Sequence, residues 1–294
     1  MPSHRPLRAV TLTLAALLCF ALLDATSKHL SQTFNIPLLV WARYAAHCVL
    51  MIVFLGPKHG LTLVATSRPF AQIGRALLLV GVTGFAMVGF RLMPLAETTA
   101  ILFITPLLVA LLAGPFLGER VGPVRWLAAL VGFGGTLLIA RPGGALVPEG
   151  IACTLIAAVC YALYQVQTRK MAATERPLTM VFYTALAGTG AMSLALPWIW
   201  HGPAPDALEV LMIVSLAIYG GTGHYLLTHA FRQAPASTLA PYLYAQLIWA
   251  ALLGWLFYDQ WPDALSFAGM ATIVAGGVSV ALAERTGRIG PEGR

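Results

Sequence analysis

Apolar runs of about twenty residues recur along this chain, separated by short segments rich in proline, glycine and charge. Ten runs can be marked, at approximately 8–30, 36–56, 70–90, 95–117, 122–140, 150–170, 178–199, 207–230, 236–257 and 262–283. Each is close to the ~20 residues that a helix needs to cross ~30 Å of hydrocarbon. The separators include Gly56-Pro57-Lys58, Gly118-Glu119-Arg120, Arg141-Pro142-Gly143-Gly144, Glu175-Arg176-Pro177 and His201-Gly202-Pro203. These are breaker sequences. A backbone in lipid must satisfy its own hydrogen bonds, so the runs predict helices.

The pattern occurs twice. Cys19-Phe20-Ala21-Leu22 with Lys28 returns 141 residues later as Cys160-Tyr161-Ala162-Leu163 with Arg169. The stretch from Pro94 to Thr99 opens a run that breaks at Thr105-Pro106 and closes at Phe116-Leu117-Gly118-Glu119. A similar phrase starts at Ala234-Pro235-Ala236-Ser237-Thr238, contains Gln246, and closes at Phe257-Tyr258-Asp259. Self-similarity at one spacing means two copies of one unit, expected at 8–140 and 150–283 with a tail at 284–294. Each copy holds five crossings, an odd number, so the second enters the membrane upside down. The expected fold class is an all-α integral membrane protein, with ten transmembrane helices in two inverted five-helix repeats.

Composition agrees. The chain is 59% hydrophobic and 10% charged, with a mean hydropathy of +0.79, whereas soluble domains carry about 25% charged residues. Arg5 and Arg8 before an apolar run could suggest a signal peptide, but the same segment returns at 150–170, so it reads as the first span. Fourteen Lys and Arg residues fall on the side of the N-terminus, Arg75 among them. Only Lys28, Arg91 and Arg141 fall on the other side, and Arg43 lies inside a run. That bias predicts cytoplasmic N- and C-termini in a multi-pass membrane protein. It also accounts for the net charge of +7 without nucleic acid. Trp198, Trp200, Trp255 and Trp261 fall at predicted outer boundaries. Cys19, Cys48, Cys153 and Cys160 sit in apolar runs without a CxxC pair and read as small hydrophobes.

At the residues quoted, the chain resembles the drug/metabolite transporter superfamily, in its ten-helix family with two EamA-type repeats. The threonine-rich start of the fourth helix, the Pro106 break, the Gly118-Glu119 ending and the glycines that follow (Gly132, Gly134, Gly135; Gly276, Gly277) carry the likeness. It implies a central cavity lined by the first four helices of each repeat, with the fifth and tenth peripheral. It also implies a small-molecule cargo, often moved outward across the inner membrane, in a protein without cofactor or metal, monomeric or homodimeric in the bilayer. The second copy departs from the pattern, with Asp259 where the glutamate would stand and Gln246 in the place of Pro106.

Charged groups inside spans are costly and mark candidate sites. Asp24 and Lys28 have the i,i+4 spacing of a self-neutralised pair, or Asp24 binds substrate or a proton. Arg43, with Tyr44 beside it, must face Asp24, Glu97, water or a bound anion, and its planar fork suits a carboxylate. Glu97 opens the fourth helix, where the dipole favours an anion. Glu119 and Asp259 read as loop anchors at helix ends. In the second copy Gln165 aligns with Asp24 and Thr184 with Arg43, so one wall is charged and the other neutral. Tyr161, Tyr164, Tyr242, Tyr244, Gln246 and Trp249 are candidates for that neutral wall. The spacing of 242, 246 and 249 puts those three on one helical face. Asp24, Glu97 and His224 are proton-coupling candidates. Gly220-Gly221-Thr222-Gly223 is expected to open its helix locally and lacks phosphate-loop spacing.

No catalytic motif of the Gly-x-Ser-Gly or His-Glu-x-x-His type is present, which argues against an intramembrane enzyme. The expected function is a secondary active transporter that exports a small polar or zwitterionic metabolite, amino-acid-like or amino-acid-derived such as an opine-type metallophore. Alternating access and proton antiport would drive it. The alternatives are import of a riboflavin-like or S-adenosylmethionine-like cofactor, and a passive channel.

Overall fold

Proline starts many of the helices, where its missing N–H costs nothing. The computed structural model describes residues 6–117, 122–141, 146–172, 174–200, 203–234 and 236–285. Its helices are α1 (Pro6–Thr33), α2 (Ile36–His59), α3 (Pro69–Leu92), α4 (Leu95–Leu102), α5 (Thr105–Leu117), α6 (Pro123–Ile139), α7 (Pro148–Ala172), α8 (Pro177–Ile199), α9 (Ala207–Gln233), α10 (Ala236–Leu243), α11 (Ala245–Tyr258) and α12 (Ala264–Arg285). A 3-10 turn, Gly60–Leu63, follows α2, and no strand occurs among the described residues. Seven stretches are long and apolar enough to span a membrane, one of them running through α4 into α5. Trp126–Ile139 and Ala264–Ser279 are shorter apolar helices. Large apolar side chains such as Phe54, Leu127, Leu194 and Ile248 are exposed. The outside is therefore suited to lipid rather than water.

Two of the predicted runs are each cut in two. At the first cut Pro106 has no N–H to give to Leu102, and the Thr105 hydroxyl donates to that carbonyl instead at 2.7 Å. Residues 103 and 104 tighten into i−3 bonds around the break. The second cut falls at Tyr244, 141 residues later, and Pro241 lies in the piece before it. This break corrects the expectation that Tyr242, Gln246 and Trp249 share one helical face. Tyr242 belongs to α10 and the other two to α11. The glycine run at 220–223 does not open its helix, because α9 is continuous through it. A capping box of Asp206 and Glu209 starts that helix.

Packing between helices comes in matched sets. The α3–α7 contact runs the length of both helices, with Gly74 near Gln167, Gly81 near Cys160 and Gly89 near Thr154. Its counterpart joins α1 to α9. The α5–α7 contact matches α1–α11, and α4–α7 matches α1–α10. The α2–α8 and α6–α12 contacts each join equivalent helices of the two halves. At the α6–α12 crossing the backbones touch. A Cβ on Gly135 would lie 2.6 Å from the Gly269 carbonyl, and one on Gly276 would lie 3.0 Å from the Ala128 carbonyl. Small residues permit this approach, and dispersion between the helices holds it.

The match is incomplete, and two of the unmatched contacts lie together. α1 packs on α3 and α4 on α11 at the end where α1 finishes, and among the described residues neither has an equivalent of comparable extent in the other half. Leu95, Ala250 and Leu253 fill that end together with Ala21, Ala25 and Phe90.

The end of α11 corrects another expectation. Asp259 is in the left-handed region at φ 52°, and its N–H and that of Gln260 reach back to Trp255 and Gly254. Asp259 therefore does the work of a helix-ending glycine, a role a short polar side chain tolerates. It corresponds in the repeat to Gly118 rather than Glu119. Gly118, Glu119 and most of the 284–294 tail lie outside the described residues.

Gly135→Ala should lower stability by about 1–3 kcal/mol through overpacking at the seam. Gly134→Ala, where an added Cβ meets nothing within 4 Å, should be neutral or stabilising by up to ~1 kcal/mol. Thermal unfolding of the two purified variants, followed by size-exclusion fluorescence, checks the contrast.

Candidate functional site

The candidate residues divide into three groups. The first lies where α1, α2, α9 and α11 meet. Asp24 on α1 and Arg43 on α2 are half-buried and within electrostatic reach of each other. Among the described residues Arg43 makes no ion pair or hydrogen bond, so the pairing with Asp24 or Glu97 is not formed. Gly220 lies beside the guanidinium, a Cβ there falling 3.7 Å from Arg43 Nη2, an ordinary contact. Asp24 accepts a 3.4 Å bond from the Gln246 amide. Gln246 is 9% exposed, and its Oε1 is buried without a partner, as is Trp249 Nε1. His224 meets Phe20 edge-on at 4.9 Å, in a notch that Gly223 leaves open, and remains accessible. His47 is within electrostatic reach of both Arg43 and His224. One unpaired guanidinium, one carboxylate, imidazoles and aromatic rings thus meet at this helix junction, a set that complements both an anionic and a cationic group.

The second group lies where α2, α3, α7 and α8 meet. Tyr161 stacks on Tyr164 at 6.1 Å and makes no hydrogen bond among the described residues. Gln165 is half-buried and likewise unbonded. Tyr44 is buried, shares a 3.0 Å bond with Thr83, and packs its ring where Gly188 leaves space. Tyr164 is held by Arg75, which sequence bias had placed with the surface cations. Arg75 is instead 1% exposed. Its guanidinium donates to the Tyr164 hydroxyl at 3.0 Å, to Thr184 at 2.9 Å and to the Met180 carbonyl, and lies 5.1 Å over the Tyr164 ring. A count of Lys and Arg by position cannot tell a loop cation from one folded back between α3, α7 and α8. Beyond it, Glu175 accepts bonds from Thr66 at 2.7 Å, Ser67 at 3.1 Å and Gln72 at 3.2 Å. These donors, Thr66 foremost, hold its carboxyl below the ordinary value of 4.5.

The third group is at the end where α1 finishes. Lys28, 4% exposed, does not pair with Asp24. Its ammonium donates to Phe90 O at 2.6 Å and Met93 O at 2.7 Å, and lies 5.4 Å over the Tyr258 ring. The orphan carbonyls at the end of α3 and the negative end of its dipole outcompete a carboxylate four residues away. Tyr258 donates to Ala25 O at 2.5 Å. Glu97 is 4% exposed, with Oε2 buried and unpartnered. Tyr244 lies apart from all three groups, stacked on Phe103 at 5.2 Å with its hydroxyl against Gly277. Tyr242 is 40% exposed. Among the described residues no His, Cys, Asp and Glu group could hold a metal.

The EamA-like transporter family model matches residues 7–141 and again 148–282. The chain belongs to this family. An S-adenosylmethionine uptake transporter of Rickettsia felis is 27% identical over 89% of this chain and 88% of its own length. A riboflavin transporter of Vibrio cholerae is 29% identical, with 92% of each chain covered. A pseudopaline exporter of Pseudomonas aeruginosa is 28% identical over 90% of this chain and 93% of its own. One crystal structure at 22% identity superposes with a TM-score of 0.66 over 95% of this chain and 99% of that one, which bears on the fold. This EamA-like protein is thus a multi-pass membrane transporter of the drug/metabolite type, and its family and relatives are transporters, not enzymes.

Arg75→Leu should cost about 3 kcal/mol, since it strands buried acceptors that bond a charged donor. Arg75→Lys should restore little of it, because an ammonium cannot replace the fork. Thermal unfolding in detergent measures both. The Glu175 contribution should be full above pH 4.5 and fade as pH falls below it, because the folded carboxyl holds its proton less readily than the unfolded one. A pH series of unfolding midpoints should therefore flatten in Glu175→Gln.

Proposed function

We propose that this EamA-like transporter is a secondary active carrier that exports a small zwitterionic metabolite, amino-acid-like or amino-acid-derived, in exchange for protons. The supporting observation is the Arg43 guanidinium, without a partner among the described residues, within electrostatic reach of the Asp24 carboxylate but forming no ion pair with it. Two opposite charges held apart in a chamber are satisfied by a ligand that brings both complements. Arg43 takes the substrate carboxylate and Asp24 its ammonium. Tyr161, Gln165 and Trp249 supply walls, and His224 stands at the accessible rim.

Ten crossings are assigned, with α4–α5 and α10–α11 each counted as one broken span. The halves 8–140 and 150–283 then lie in opposite senses in the bacterial inner membrane, with both chain ends cytoplasmic. The matched helix contacts favour this arrangement, because each half offers the other the same surfaces. Alternating access follows as a rocking of one half against the other.

A second reading is uptake of a cofactor-like metabolite. It is favoured by the rings of Phe20 and Trp249 beside the charged pair and by the names of the uptake relatives. Metabolite profiling of cells and medium with and without the gene separates the two. Export predicts intracellular accumulation of the cargo on deletion, and uptake predicts an auxotrophy that the supplied cofactor repairs only in the parent. In either case Arg43→Ala should lower transport by at least ~100-fold while the protein still inserts. Transport at the parental rate in that variant would remove Arg43 from the site.

A further inference from the structure

Glu97 is the least explained charged group of the structure. It lies in the first turn of α4, is 4% exposed, and has one carboxyl oxygen sealed without a donor. An ionised carboxylate in such a place carries a desolvation cost of several kcal/mol unless it is paired. Lys28 is within electrostatic reach but forms no ion pair with it. Its ammonium is committed to Phe90 O and Met93 O, the carbonyls that close α3 just before α4 begins. The other titratable groups here come from several elements. Tyr258 on α11 lies over the ammonium, and Asp263 before α12, near Glu97, is bound to Arg141 at 2.5 Å. His29 on α1, Arg91 on α3 and Glu149 on α7 are exposed. Among the described residues Lys28 is thus the one buried cation placed to neutralise Glu97, and it is occupied in tying α1 to α3. That tie belongs to the α1–α3 and α4–α11 contacts that have no comparable equivalent in the other half.

We infer that Glu97 is a proton-binding site that controls closure of this end of the transporter, through exchange of Lys28 between the α3 carbonyls and the Glu97 carboxylate. With the end sealed, Glu97 is a neutral acid and Lys28 clamps α1 to α3. On opening, the carboxyl O–H bond breaks and the proton passes to water on that side. The carboxylate takes the ammonium, and Phe90 O and Met93 O are released to solvent. Resealing requires a proton from that side. Within the alternating-access reading above, this step makes closure of that end depend on the proton activity of its own side and carries no net proton across the membrane, and Asp24 is left free to bind cargo.

The test needs no cargo, so its failure leaves the Arg43 and Asp24 reading standing. The full chain, with its four cysteines replaced, carries Ser27→Cys on α1 below Lys28, at a position 1% exposed. It is placed in lipid nanodiscs and labelled with a charged, impermeant methanethiosulfonate. Gln32→Cys, at an exposed position, corrects for thiol ionisation. The corrected rate should rise about tenfold from roughly pH 5.5 to 8.5, as one linked proton allows. Glu97→Gln should be slow and flat, and Glu97→Asp should keep the rise. Lys28→Met should label rapidly at every pH. A flat corrected rate in the Glu97 parent, an unchanged rise in Glu97→Gln, or a sealed Lys28→Met protein would each overturn the inference. The parental measurement decides even where a variant fails to insert.

Discussion

Hydrocarbon offers no hydrogen bond, so every polar group carried into it must find its partner within the protein. Much of this structure is an answer to that constraint. The Thr105 hydroxyl bonds the carbonyl that Pro106 leaves unused. The Lys28 ammonium settles two carbonyls at the end of α3. Arg75 donates to acceptors on three helices. The constraint is not met everywhere: Gln246 and Trp249 near Asp24 and Glu97 at the start of α4 are exceptions, as are Arg75 Nε, Gln233 and Gln260 elsewhere. A transporter needs such exceptions. Groups satisfied by the protein alone have nothing to offer a passing molecule.

Much of the architecture was readable in advance because lipid simplifies the code. Apolar runs of one length, cut by glycine and proline, locate the helices, and the 141-residue echo carries through to the Phe103 and Tyr244 breaks. The site was only partly legible. Asp24, Arg43 and Gln246 do come together, although helix periodicity predicts neighbours within a helix and not across helices. Lys28 was misjudged for this reason: its spacing from Asp24 is local, while its carbonyl partners lie more than sixty residues away. Arg75 and Phe20 were also missed, since nothing near them in the chain announces a buried knot or a histidine contact. Asp259 was matched one residue out of register, because its left-handed backbone is a property of conformation that side-chain chemistry conceals.

The two halves are alike in packing and unlike in charge. The α2–α8 and α6–α12 contacts treat them as equals, whereas Asp24 and Arg43 are replaced by Gln165 and Thr184. Near-equivalence keeps two conformations close in energy.

The seam between α6 and α12 has a further implication. Its two backbone contacts, Gly135 on the Gly269 carbonyl and Gly276 on the Ala128 carbonyl, are the same contact read from either partner. A surface that is its own complement would also close between two separate, identical five-helix chains. The link between the halves therefore adds little to that joint beyond keeping the partners at hand. What fusion supplies is the freedom for each half to drift, so that one could keep its charges while the other lost them.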